Sequence, residues 1–138
     1  MPESTSRREP GTPARVLVVD DAASIRLLIR TNLELAGFEV EEAVDGIDAI
    51  EQLESAEVLP DVITVDVMMP RQDGIATVAS IRKNPRTAGI AIVMVSTQNH
   101  PHDIQRGMDA GVDAYVTKPF DPDVLVETVR KAADTLGR

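Results

Sequence analysis

The sequence contains no cysteine and no tryptophan, and aromatic residues make up only 2% of its 138 residues. The absence of cysteine excludes a disulfide framework and thiol chemistry, which leaves the cytoplasm as the expected compartment. No apolar run approaches the roughly 20 residues of a membrane span, so no membrane association is expected. Basic residues are also few, since 14 Lys and Arg stand against 23 Asp and Glu. Direct nucleic-acid binding is not expected, because phosphate contacts need clustered positive charge.

The length and the 43% hydrophobic content fit one globular domain. Residues 1–14 are polar, contain three prolines and show no apolar periodicity. We therefore expect a flexible N-terminal tail over residues 1–14 and a single domain over residues 15–138.

Five apolar runs alternate with five helical patterns along the rest of the chain. The predicted strands are, in order, RVLVV, FEVEEA, VITV, GIAIVMVS and AYVT. FEVEEA alternates apolar and polar residues, which is typical of an edge strand, whereas the other runs are mostly apolar. Strands that alternate with helices predict an α/β fold in which a parallel sheet is covered on both faces.

The predicted helices are amphipathic. The first begins at Ser24 and ends before Gly37, which suits a left-handed cap; its expected buried stripe is Ile25, Leu28, Ile29 and Ala36. The second begins in DGIDAIEQL, the third covers Gly74 to Lys83, and the fourth covers Pro101 to Asp109. The last follows an N-cap at Asp121, and its expected buried stripe is Leu125, Val129, Ala132 and Leu136.

Polar residues stand where the predicted strands end. Asp20 and Asp21 follow the first strand, Asp66 the third, Ser96 ends the fourth, and Lys118 follows the fifth. In parallel sheets these ends share one edge, where ligands bind. Clustered carboxylates repel one another unless a cation is present, and a hard ion of the magnesium type prefers such oxygen ligands. Lys118 and Ser96 would suit an incoming phosphoryl group, with Asp66 as the nucleophile.

Each of these residues also has a simpler explanation. Asp20 and Asp21 could complement a helix dipole, Ser96 could cap the next turn, and Lys118 could be a solvated loop residue. Their placement at matching strand ends favours the metal and phosphoryl site.

Four segments resemble the signature blocks of the receiver domain of two-component response regulators: VLVVDDAAS, VDVMMPRQDGI, VMVST and AYVTKPF. The resemblance runs from about Arg15 to the C-terminus and is to the stand-alone, chemotaxis-regulator type. It implies a flavodoxin-like, doubly wound α/β fold with five parallel strands in the order 2-1-3-4-5 and five helices. It also implies a phosphoacceptor that catalyses its own phosphoryl transfer and autodephosphorylation rather than an enzyme.

The resemblance assigns the metal site and the phosphoacceptor. Asp66 would be phosphorylated by a sensor histidine kinase or a histidine phosphotransfer protein. Asp21, Asp66 and the backbone carbonyl of Met68 would bind Mg²⁺ or Mn²⁺, and Asp20 would act through a bound water.

The resemblance also assigns the switch. Lys118 would pair with the phosphoryl oxygens through a loop in which the Lys118–Pro119 bond is cis. Ser96 would hydrogen-bond the phosphoryl group, and Tyr115 would turn inward as Ser96 moves. Output would pass through the fourth helix, fifth strand and fifth helix, with Ile104 and Tyr115 as candidate contacts for a downstream target protein.

Two further positions are expected to tune hydrolysis of the acyl phosphate. These are Met68, two residues after Asp66, and Gln98, two residues after Ser96. Methionine hydrogen-bonds an attacking water poorly whereas an amide can do so, which predicts a moderately long-lived phosphorylated form.

Three alternatives remain at this point. The expected reading is a single-domain regulator, monomeric when unphosphorylated and a possible dimer when phosphorylated, with the kinase docking along the first helix. The chain could instead be the receiver of a longer transcriptional or enzymatic regulator. A magnesium-dependent aspartyl-phosphate phosphatase of the haloacid dehalogenase type is disfavoured, because the first strand is followed by adjacent aspartates rather than D-x-D.

Overall fold

The computed structural model describes residues 12–69 and 72–135, so most of the predicted tail and Leu136 of the predicted last stripe lie outside the described residues. Ala14, the last residue of that tail, is buried, and its carbonyl oxygen accepts a hydrogen bond from the Glu39 backbone N–H. The elements in chain order are β1 (Arg15–Val19), α1 (Ala23–Leu35), β2 (Glu39–Ala43), α2 (Gly46–Ser55), β3 (Val62–Val65), α3 (Gly74–Lys83), β4 (Ala91–Ser96), α4 (Pro101–Ala110), β5 (Ala114–Thr117) and α5 (Pro122–Thr135).

The five strands form one parallel sheet in the order β2-β1-β3-β4-β5. This confirms the predicted α/β class, the strand order and the number of helices. β2 is an edge strand with an alternating pattern of exposed and buried residues, as expected, whereas β3 and β4 are buried at every position. The parallel pairing places all five carboxyl ends at one edge, which is called the carboxyl edge below; the opposite edge is the amino edge.

Two hydrophobic layers cover the sheet. On one face, Val16, Val18 and Val93 pack against α1 and α5, through residues that include Ile29, Leu33, Leu125 and Val129. On the other face, Leu17, Ile63 and Ile92 pack against α2 and α3, through residues that include Ala49, Leu53, Val78 and Ile81. Each fully buried aliphatic side chain contributes about 1.5–3 kcal/mol, so these layers stabilise the sheet whose strand ends form the carboxyl edge.

The buried stripe of α1 differs from the prediction at two residues: Leu28, predicted to be buried, is exposed, and Leu33, which is not in the predicted stripe, is fully buried. Leu28 is 46% exposed, and the buried residues of the helix are Ile29 and Leu33. The stripe runs from Ile25 through Ile29 and Leu33 at four-residue steps, and Leu28 lies about 100° away around the helix axis. Gly37 has φ of +98°, so the predicted left-handed cap is confirmed.

No helix within residues 12–69 and 72–135 has the length and apolar character needed to cross a membrane.

Candidate functional site

The strand ends bring four of the predicted site residues together. The Asp66 backbone N–H donates to the Val19 carbonyl (3.2 Å), so Asp66 lies beside Asp20 at the ends of adjacent strands. The Lys118 backbone N–H donates to the Ser96 carbonyl (2.8 Å) and brings the ends of β4 and β5 together. The Lys118–Pro119 bond is cis, as predicted from the resemblance.

The Lys118 ammonium lies between two buried carboxylates. Its Nζ is 3.0 Å from Asp20 Oδ2 and 3.4 Å from Asp66 Oδ2. The Asp20 side chain is 2% exposed and the Asp66 side chain 11%. Asp21, the next residue, is exposed. Two carboxylates therefore share one ammonium group and a third carboxylate lies beside them, which leaves the site with an excess of negative charge.

The electrostatics of Asp66 reflect this imbalance. Burial raises the pKa of Asp66 above its usual value of 3.8, the Lys118 ammonium lowers it in part, and the Asp20 carboxylate raises it further. The net effect is a raised pKa, because the attraction of the Lys118 ammonium does not offset the burial of the Asp66 carboxylate. A bound cation would compensate the remaining charge.

The donor set fits a hard divalent cation. Asp20, Asp21 and Asp66 each offer a carboxylate oxygen, and these oxygens lie within 4.8 Å of one another. An all-oxygen set of this kind suits Mg²⁺, which takes one or two carboxylates and keeps several waters. Two of these three aspartates, Asp20 and Asp66, are buried at the carboxyl edge, whereas the acidic groups of an ordinary surface cluster are exposed to water.

The predicted switch residues are linked through Gln98. Ser96 is fully buried, and its Oγ accepts a hydrogen bond from the Gln98 backbone N–H (3.1 Å). Tyr115 donates its hydroxyl to the Gln98 carbonyl (2.6 Å). Burial raises the pKa of Tyr115, so this hydroxyl stays protonated and able to donate. One peptide segment thus contacts both the strand-end hydroxyl and the tyrosine.

The two predicted hydrolysis-tuning residues are in contact with each other. Gln98 Nε2 is 3.2 Å from Met68 Sδ, and the Met68 side chain is 62% exposed. A thioether is a weak acceptor. The Met68 backbone N–H points to Asp66 Oδ1 at 3.4 Å, so this residue borders the acidic site.

The predicted output residues lie beside one another on α4 and β5. Ile104 is half-buried in α4, and the Tyr115 ring packs against the same helix at Gly107. A Cβ at Gly107 would lie 3.4 Å from Tyr115 Cε2. The geometry joins the tyrosine to α4, and the output role of both residues remains a prediction.

One residue at the site was missed by the sequence analysis. Arg26 donates from Nη1 to the Asp20 carbonyl (2.8 Å) and from Nε to Glu42 Oε1 (2.7 Å). The sequence does not predict this contact, because its pattern does not distinguish Arg26 from the other polar residues of an amphipathic helix.

The protein sequence matches the family described as the response regulator receiver domain over residues 16–130. The chain therefore belongs to the response regulator receiver family. Receiver domains are phosphoacceptors that interact with histidine kinases and with downstream targets.

Two curated relatives illustrate the family. The chain is 39% identical to the DNA-binding dual master transcriptional regulator RpaA of Synechocystis sp., over 84% of this chain and 47% of RpaA. It is 36% identical to protein PilG of Pseudomonas aeruginosa, over 84% of each chain. The chain thus spans about half the length of RpaA but most of PilG.

The fold is also similar to that of a solved chemotaxis regulator. The structure of chemotaxis response regulator CheY4 of Vibrio cholerae aligns with a TM-score of 0.81 at 36% identity, covering 88% of this chain and 99% of CheY4. This likeness supports the flavodoxin-like, doubly wound assignment.

Proposed function

We propose that this protein is a phosphorylation switch in which Asp66 accepts a phosphoryl group from a sensor histidine kinase or a histidine phosphotransfer protein. The observation that carries the proposal is the convergence of Asp20, Asp66 and Lys118 at one carboxyl edge. The family assignment favours this function over an aspartyl-phosphate phosphatase.

The nucleophile of the reaction is the Asp66 carboxylate. One of its oxygens attacks the phosphorus, the new P–O bond forms as the P–N bond to the donor histidine breaks, and the imidazole leaves. Bound Mg²⁺ would neutralise charge on the transferring phosphoryl group, held by Asp20, Asp21, Asp66 and the Met68 carbonyl, with Asp20 acting through a water. Lys118, now paired with two carboxylates, is placed to pair instead with a phosphoryl oxygen.

The switch is proposed to use Ser96 and Tyr115. A phosphoryl group on Asp66 would accept a hydrogen bond from the Ser96 hydroxyl and draw Ser96 towards the site. Because the Gln98 backbone contacts both residues, a movement of Ser96 changes the position of the Tyr115 acceptor. Phosphorylation would then shift the populations of the conformations that the face formed by α4, β5 and α5 adopts. Ile104 and Tyr115 on this face would contact a downstream target.

The chain's own residues also set the lifetime of the phosphorylated form. Met68 and Gln98 flank the site and contact each other, so the Gln98 amide is directed towards a sulfur atom. Neither group is then well placed to orient an attacking water, which supports slow autodephosphorylation.

The size of the relatives supports two forms of the output. One form is a single-domain cytoplasmic protein that signals through protein contacts without binding nucleic acid, and PilG is a relative of similar length. The greater length of RpaA favours the receiver of a longer transcriptional regulator.

The oligomeric state is a separate part of the proposal. Sedimentation with and without phosphorylation would test whether a monomer becomes a dimer.

The proposal is tested by the intact mass of the protein after incubation with acetyl phosphate. The reaction is run with Mg²⁺ or with EDTA, on the wild type and on Asp66→Asn. One labile phosphoryl adduct that requires both Mg²⁺ and Asp66 is expected. Asp73→Asn is the matched control, because the Asp73 carboxylate caps α3 by accepting a hydrogen bond from the Ala76 N–H. An adduct that survives in Asp66→Asn would contradict the assignment.

A further inference from the structure

Asp20 is held by hydrogen bonds at its backbone as well as at its carboxylate. Its N–H donates to the Ala43 carbonyl (3.2 Å), and its Oδ1 accepts from the Ala22 N–H (2.9 Å). Its own carbonyl oxygen accepts from Arg26 Nη1 (2.8 Å). Among the partners in these three contacts only Arg26 uses its side chain, so a substitution of the partner can remove this contact.

The Arg26 guanidinium connects three parts of the fold. It lies on α1, bonds the Asp20 carbonyl at the end of β1, and bonds Glu42 of the edge strand β2. Its side chain is 15% exposed and that of Glu42 26%, so the pair is largely shielded from water. Shielded, charge-assisted hydrogen bonds of this kind are stronger than those between neutral groups.

Glu42 is itself held in place. Its second oxygen accepts from Arg30 Nη1 (2.6 Å), and hydrogen bonds from Arg30 and Arg26 lower the pKa of Glu42 below its usual range. The carboxylate therefore stays ionised and anchors both arginines. Of these two arginines only Arg26 also bonds a residue of the acidic site, because within the described residues no contact joins Arg30 to Asp20.

We propose that Arg26 is a positioning residue for the metal site: by fixing the Asp20 carbonyl to Glu42, it sets the direction of the Asp20 and Asp21 carboxylates. This inference rests on the proposed function, since it concerns the same acidic site. Residues that orient metal ligands without touching the metal typically change metal affinity by about 10- to 100-fold when mutated.

The substitution Arg26→Lys tests the geometry of the guanidinium group separately from its positive charge. Lysine keeps the positive charge but has a single ammonium nitrogen, whereas the planar guanidinium holds its five N–H donors in a fixed geometry and here uses Nε and Nη1 at the same time. Arg26→Lys therefore leaves the local charge balance unchanged and removes the simultaneous contact to Asp20 and Glu42. The matched control is Arg30→Lys, which perturbs the same Glu42 anchor without a contact to Asp20.

The test is the dissociation constant of Mg²⁺, measured by titration calorimetry on the full chain. Arg26→Lys is expected to weaken Mg²⁺ binding about tenfold, at the low end for such residues, and Arg30→Lys by less than about twofold. With acetyl phosphate, Arg26→Lys is expected to need more Mg²⁺ for half-maximal phosphorylation while reaching the same maximal rate. Unchanged Mg²⁺ affinity in Arg26→Lys, or an equal loss in Arg30→Lys, would overturn the proposal.

A second variant distinguishes a loss of metal-site geometry from a loss of stability. If Arg26→Lys has a lower melting temperature than Arg30→Lys in EDTA, the Mg²⁺ affinity of Glu42→Gln tests the proposal instead, because this substitution weakens the Glu42 anchor and leaves Arg26 in place. It is expected to weaken Mg²⁺ binding, and unchanged affinity there would overturn the inference. The proposed function fails separately, if the wild type binds Mg²⁺ but takes no phosphoryl adduct at Asp66.

Discussion

The two edges of the sheet both hold shielded ion pairs, but they differ in how completely those charges are satisfied. At the amino edge, Arg82 donates to Asp113 (3.0 Å) and to the carbonyls of Gly111, Ala88 and Ile90. The same Asp113 oxygen accepts from the Ile92 backbone N–H (2.9 Å). At the carboxyl edge, the Asp20 and Asp66 carboxylates share the Lys118 ammonium, and the Asp21 carboxylate lies beside them.

This difference separates a structural ion pair from the one that we propose to be functional. The Arg82 network joins α3 to the starts of two strands with matched charge, so it has no need of a ligand. The acidic site keeps uncompensated charge, and only a cation and a phosphoryl group would complete it. Perturbed electrostatics in a strand-end cluster mark a site of chemistry, whereas satisfied networks mark architecture.

The largest effect, on the free energy of unfolding, is expected from removing the ion pair at the amino edge. Arg82→Met removes the guanidinium from the Asp113 carboxylate and its hydrogen bonds to three carbonyls, and removal of one member of a buried pair costs about 3 kcal/mol or more. Urea unfolding measures this loss. The control is Arg15→Met, which removes an exposed pair with Glu39 and should cost less than about 1 kcal/mol. A similar loss in both variants would contradict the contrast.

A smaller effect of opposite sign is expected from the acidic site. Asp66→Asn, measured in EDTA, should stabilise the protein at pH 7 by on the order of 1 kcal/mol, because it removes a buried charge next to Asp20. The folded protein raises the pKa of Asp66 above its ordinary 3.8, so the folded state binds this proton more tightly than the unfolded state. The destabilisation of the wild type is therefore absent below the ordinary pKa of 3.8, grows as the pH rises from there to the raised pKa of the folded protein, and is constant above it.

The measurement for Asp66→Asn is the free energy of unfolding from pH 4 to pH 7 without divalent cations. Asp21→Asn is the control, because Asp21 is exposed and its charge is solvated. The stabilisation should shrink on acidification and should also shrink when Mg²⁺ is added, since the cation compensates the wild-type charge. A gain that does not depend on pH would show that Asp66 is not the origin.

The smallest effect is expected at the rim of the acidic site. Met68→Asn places an amide where the thioether now contacts Gln98, and an amide can orient an attacking water. The phosphorylated form should decay about two- to fivefold faster, less than about 1 kcal/mol in barrier. The decay of the phosphoryl adduct measured by intact mass tests this. Met68→Leu should decay at the wild-type rate, and a slower decay in Met68→Asn would rule the idea out.

Much of this site could be predicted because it follows from where strands end. The apolar runs before Asp20, Asp66 and Lys118 identify three strands, and parallel pairing alone brings their ends together. The exposure of Leu28 was mispredicted, since one apolar residue beside a stripe does not reveal on which side of the stripe the core lies. The Arg26–Glu42 and Arg82–Asp113 contacts could not be predicted, because the choice among many charged partners is made by tertiary geometry.

The hydrogen bond from Tyr115 to the Gln98 carbonyl has a practical consequence. The sequence contains one tyrosine and no tryptophan, so its near-ultraviolet emission has a single dominant source, located at the proposed switch. The protein thus carries its own optical reporter, and a change in its emission would report on the surroundings of this one ring without any attached dye.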